Sequence, residues 1–120
     1  MLKKLYRGLN LVSGYFYYTA KPKFLNPIAL ARYINDIRSK SIIEKNYPSL
    51  FTLIEGLLAE SSSTGCEYGD YLNLYRRIRT GRYKHILECG SGVSTAVIAL
   101  ASKENFEEGL ERSTIVSMEE

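Results

Sequence analysis

The residues best suited to chemistry sit together in the run from Glu88 to Thr95, ECGSGVST. Gly90 and Gly92 allow a sharp backbone turn with no Cβ in the way. Ser94 or Thr95 is of the right type to cap a helix that starts after the turn. A helix start carries unpaired N–H groups and a partial positive charge, so a ligand can come close to the backbone there. Glu88 adds a carboxylate beside the bend. An acid at that place suits a ligand group with a positive charge and sits badly with a pyrophosphate. Two further acids, Glu119 and Glu120, follow Met118. At the end of a strand such a carboxylate accepts hydrogen bonds from both hydroxyls of a ribose. The layout is that of a site for a nucleoside-containing cofactor.

The elements that must position these residues can be read from spacing. Lys84 to Cys89 is a short apolar run without helical period, followed at once by Gly90, and reads as a buried strand. Ser94 to about Ser102 reads as a helix. The polar segment Lys103 to Arg112 reads as its end plus a loop. Ser113 to Met118, β-branched at three positions, reads as a second strand. Strand, helix and strand in this order form a parallel βαβ unit with a right-handed crossover. Before it the pattern is helical. Pro27 to Ser39 carries Ile28, Ala31, Ile34 and Ile37 at helical spacing, Pro48 opens a helix ending near Glu60, and Tyr68 to Arg79 gives a third, stopped by Thr80-Gly81. The serine-rich run from Ser61 to Gly65 separates the last two.

The dinucleotide fingerprint GxGxxG is met at Gly90 and Gly92, but Thr95 stands at its third glycine. Together with Glu88, this disfavours a nicotinamide or flavin oxidoreductase. The run Ile86-Leu87-Glu88-Cys89-Gly90-Ser91-Gly92 instead resembles motif I of class I S-adenosylmethionine-dependent methyltransferases, an apolar strand followed by an acid and a glycine loop. The resemblance implies that Glu88, Gly90, Ser91 and Gly92 hold the methionine part of S-adenosylmethionine and that Glu119 binds its ribose. Ser94 replaces the third glycine of the motif, and is carried into the cofactor-binding set on that position. The spacing from Glu88 to Glu119 exceeds the ~20 residues of dinucleotide folds, and a surface insertion at Lys103 to Arg112 accounts for the excess.

The resemblance covers about Lys84 to Glu120. It implies an α/β chain: an N-terminal helical segment, 1–80, followed by the first βαβ unit of a Rossmann-like methyltransferase fold, 81–120, with an incomplete sheet. The family's sheet has about seven strands with helices on both faces, so the expectation is the N-terminal part of a longer enzyme, inactive alone. No catalytic residue is named, because a general base is expected beyond Glu120 or in the helical segment. The methyl acceptor is open.

Composition bounds the alternatives. With 45% hydrophobic and 24% charged residues the chain is of ordinary globular type. Residues 1–45 carry a net charge of +7 and residues 46–120 a net of −4. The basic half suits weak contact with a membrane surface or another anionic partner, although a solvated helix face gives the same pattern, and there is no strong nucleic-acid signal. A non-catalytic basic interaction module is the competing reading. Two cysteines and one histidine make neither a disulfide framework nor a metal site. Cys89 reads as a small buried strand residue, and reduced thiols suit the cytoplasm. Leu2, Leu5, Leu9 and Val12 suit an interfacial helix or a core-facing one. The apolar run there is too interrupted for a secretion signal and too short for a membrane span. His85 lies at the strand end far from the bend. Tyr68 to Tyr71 either covers the site or is occupied in helix capping by Asp70.

Overall fold

The computed structural model describes residues 27–60, 67–90 and 92–118. Among them the order is α1 (Pro27–Asn46), α2 (Pro48–Glu60), α3 (Tyr68–Gly81), β1 (His85–Cys89), α4 (Val93–Glu107) and β2 (Thr114–Met118). The described chain is mostly helical with a two-stranded parallel sheet, an α/β arrangement. No described helix is long and apolar enough to cross a membrane. The basic N-terminal run, with its interfacial-helix expectation, and the Ser61–Gly65 loop lie outside the described residues.

The chain divides into two compact units, 1–38 and 39–120. In the first, the described residues belong to α1, whose Ile28, Ile34 and Ile37 are exposed. The second unit takes in both the later helices of the 1–80 segment and the strand-bearing 81–120 segment. A shared core joins them: Ile43, Leu50 and Ile54 pack with Tyr71, Tyr75 and Ile78 of α3 and Val97 and Ala101 of α4.

Helix α1 runs past the expected end at Ser39 because Ile43, one turn further, is fully buried in that core. Tyr47 then joins α1 to α2. Its N–H donates to the Ile43 carbonyl at 2.9 Å and its carbonyl accepts from Phe51 at 3.0 Å, while Pro48 opens α2 without needing a donor. At the start of α3 the Glu67 N–H donates to the Asp70 carboxylate at 2.9 Å, so Asp70 caps the helix. At its end Arg82 takes the left-handed conformation (φ 52°) and its N–H closes on the Ile78 carbonyl. The stop therefore falls on Arg82 rather than on Gly81. Gly81 serves another purpose, since a Cβ there would collide with the ring of Tyr83.

Helix α4 continues to Glu107, beyond the expected end near Ser102. Residues expected in a loop are held against α3. Asn105 is buried, donates from Nδ2 to the Ile78 carbonyl at 3.0 Å and accepts from Arg79 Nη1 at 2.5 Å. Glu104 accepts a hydrogen bond from the Tyr75 hydroxyl, and Arg79 also pairs with Glu108 at 2.5 Å.

Strands β1 and β2 run parallel with Ile86 opposite Ile115 and Glu88 opposite Ser117. Successive side chains alternate between faces. Ile86 and Ile115 therefore pack inward on the core, while Leu87 and Val116 point outward and are 65% and 50% exposed.

Candidate functional site

The bend between β1 and α4 is built from the end of each strand. The Gly90 N–H donates to the Met118 carbonyl at 2.7 Å, which hangs the turn on the last residue of β2. Gly90 has φ +99°, a conformation L side chains rarely adopt, and Gly92 combines φ 158° with ψ −146°. A Cβ at either position would meet nothing within 4 Å. Glycine is thus required at Gly90 by the backbone rather than by packing, and the bend borders open space.

Glu88 is half-buried on the inward face of β1. Its Oε1 accepts from Ser94 Oγ at 2.5 Å, and its Oε2 accepts from Thr95 Oγ1 at 2.6 Å and from Ser117 Oγ at 3.0 Å. Burial pushes the carboxyl upward, but the hydroxyl bonds from Ser94, Thr95 and Ser117 outweigh it. Glu88 therefore titrates below its ordinary value and is ionised at neutral pH. A carboxylate offers about four acceptor positions. Among the described residues three are filled, and the remaining one is on Oε1.

Thr95 has a second role. Its Oγ1 accepts the Gly92 N–H at 3.2 Å and so closes the first turn of α4. The expectation that Ser94 or Thr95 sits at the cap is corrected in detail. The helix begins at Val93, Gly92 occupies the cap position, and Thr95 satisfies it from within the first turn. Ser94 does not cap, because its hydroxyl is turned to Glu88.

Of the expected site residues, Glu88, Gly90, Gly92 and Ser94 are brought together at the bend. Ser91 and Glu119, like Glu120, lie outside the described residues. Two participants escaped sequence reasoning. Thr95 drew notice as a helix cap and as a missing glycine, not as a donor to Glu88, and Ser117 drew none. Period-two alternation from Ile115 puts Ser117 on the inward face, but the register that sets it opposite Glu88 comes from the structure. Cys89 corrects another expectation: it is an exposed free thiol, because it alternates onto the uncovered face with Leu87. His85 is at the far end of β1, as expected. The Tyr68–Tyr71 stretch is engaged elsewhere. Asp70 caps α3, Tyr68 donates to Glu55 and Tyr71 is buried in the core. Among the described residues no group of three or more His, Cys, Asp or Glu could hold a metal ion.

Comparison with known proteins adds no assignment: no family model, curated protein or solved structure matches the chain.

Proposed function

We propose that the bend is the cofactor site of a Rossmann-like, class I S-adenosylmethionine-dependent methyltransferase. The observation that carries this reading is Glu88, held ionised beside a glycine turn that borders open space. A fixed negative charge favours a ligand bearing an ammonium or sulfonium group and opposes a pyrophosphate. The donor set fits that chemistry. The acceptor position that the described residues leave on Glu88 Oε1 suits an amino group, the backbone at Gly90 and Gly92 permits close approach, and Ser91 and Ser94 are assigned to the same site. Glu119, following β2, is assigned the ribose hydroxyls. When bound, S-adenosylmethionine supplies an electrophilic methyl group for an N, O or C nucleophile of the acceptor. The chain's own residues bind and orient the cofactor. A cytoplasmic setting, with Cys89 reduced, accords with this role.

Calorimetric titration of the protein with S-adenosylhomocysteine, with NADH as the control, tests the reading. The expected result is binding of S-adenosylhomocysteine that Glu119→Ala and Glu88→Gln each weaken by about tenfold or more, the worth of a charge-assisted hydrogen bond. Binding of NADH alone overturns it in favour of an oxidoreductase. Binding of neither leaves the bend a structural turn.

A further inference from the structure

Of the three hydroxyls on Glu88, the one on Thr95 is bonded to the backbone of the glycine bend as well. Ser94 Oγ donates to Oε1, and Ser117 Oγ donates to Oε2 from the neighbouring strand. Thr95 Oγ1 donates to Oε2 at 2.6 Å and accepts the Gly92 N–H at 3.2 Å. A hydroxyl has a single proton to give and lone pairs to receive. With its proton on the carboxylate, the Thr95 oxygen meets the Gly92 N–H as an acceptor. The two bonds fix a threonine rotamer that a helix otherwise leaves split between two wells. A single oxygen atom thus ties the carboxylate to the bend.

This tie orients the carboxylate. Thr95 and Ser117 both occupy Oε2, so among the described residues the acceptor position left over belongs to Oε1. Without the Thr95 hydroxyl, Oε2 would be held from β2 alone and no side-chain bond would link Glu88 to Gly92 through Thr95. The same hydroxyl engages the Gly92 N–H, while the Gly90 N–H goes to the Met118 carbonyl. Both glycine donors are therefore engaged within the chain, which suits an amino-bearing ligand better than a phosphate. The residue that stands where the dinucleotide fingerprint has its third glycine is the one that joins acid and bend.

We infer that Thr95 is the positioning residue that holds Glu88 for the amino group of the cofactor's methionine part, and so sets selectivity for ligands that carry that group. The assignment rests on the cofactor reading. Thr95 acts through Glu88, so its effect should appear with ligands that reach Glu88 and vanish when the carboxylate is replaced.

The test is calorimetric titration with S-adenosylhomocysteine and with methylthioadenosine, which shares its adenosine and thioether but lacks the amino acid part. Thr95→Val keeps the branched shape and removes the hydroxyl. The Gly92 N–H that it releases is exposed to water, and circular dichroism checks that the variant is folded. Thr95→Val is expected to weaken S-adenosylhomocysteine about fivefold and methylthioadenosine less than about twofold. Thr95→Ser, which keeps the hydroxyl, is expected to bind as the parent does. In a Glu88→Gln background, Thr95→Val is expected to change S-adenosylhomocysteine affinity by less than about twofold. Equal loss for the two ligands, no loss for either, weakened binding by the serine variant, or an undiminished loss in the Glu88→Gln background makes Thr95 a structural cap and overturns the assignment alone. A parent that does not bind S-adenosylhomocysteine overturns the cofactor reading and the assignment with it.

Discussion

The Glu88 carboxylate and the Ser117 hydroxyl are partners across the parallel ladder, 3.0 Å apart, and the same carboxylate holds Ser94 and Thr95 at the start of α4. One side chain therefore joins β1, β2 and α4 around the glycine bend. Removing the Ser117 hydroxyl leaves two donors on the carboxylate. We predict that Ser117→Ala costs about 1 kcal/mol of stability and moves the Glu88 titration up toward the ordinary carboxylate range. Urea denaturation and carboxyl-carbon NMR measure the two effects. An unchanged Glu88 titration in the variant would remove Ser117 from the network.

The pH dependence has a definite sign. Glu88 has a folded-state pKa depressed below its unfolded value. Its contribution to stability is therefore present above the unfolded carboxylate range and is lost as pH falls through the folded value. Glu88→Gln should flatten the acid limb of a stability–pH curve measured from urea midpoints. Parallel curves for the two proteins would show that the hydroxyl bonds do not bias the titration.

How far the sequence disclosed this arrangement depends on the period each residue obeys. The strand–turn–helix–strand order was legible because Ile86-Leu87, Gly90 and the β-branched run at Thr114–Val116 are local signals. The Glu88 side of the site was legible because it lies next to Gly90. Ser117 was not, since its partner is 29 residues away and the register that joins them is a tertiary fact. The continuation of α4 was hidden for a related reason. Glu104, Asn105 and Glu108 are polar, and polarity reads as loop, yet they meet Tyr75, Arg79 and the Ile78 carbonyl across the helix pair. The exposure of Cys89 depends on a sheet face that nothing in the described residues covers, which strand hydrophobicity alone does not reveal.

Two glycine substitutions should have opposite signs. Gly90 has φ +99°, and an alanine there is strained although nothing crowds its Cβ. We predict that Gly90→Ala costs about 1–2 kcal/mol. Gly56 lies within α2, and a Cβ there meets nothing within 4 Å. We predict that Gly56→Ala stabilises by about 0.5–1 kcal/mol. Chemical denaturation of both variants beside the parent checks the pair, and destabilisation by Gly56→Ala would contradict the helical setting of that residue.

Asn105 is the buried polar joint between α3 and α4. Replacing it with alanine removes the donor to the Ile78 carbonyl and one acceptor of Arg79, which keeps its carboxylate partners. We predict a loss of about 2 kcal/mol for Asn105→Ala. Asn105→Asp separates the two functions, since an ionised aspartate still accepts from Arg79 but cannot donate to the carbonyl. If the aspartate variant matches the parent in urea midpoint, the bond to Ile78 contributes nothing.

Tyr75 offers a spectroscopic reading of the same helix pair. Its phenol is pushed up to about 12, first by burial, then by its hydrogen bond to Glu104 and that carboxylate's charge, against an opposing pull from Arg79. A raised acid pKa means that the associated stability is intact below the ordinary phenol value of about 10 and is lost as pH rises toward the folded-state value. Ultraviolet titration of the parent minus Tyr75→Phe should isolate one phenolate transition near that elevated value. Glu104→Gln, which keeps an acceptor but removes the charge, should lower it while leaving the burial contribution in place. A difference transition at the ordinary phenol value would mean that the Tyr75 hydroxyl is solvated and that Glu104 does not hold α4 against α3.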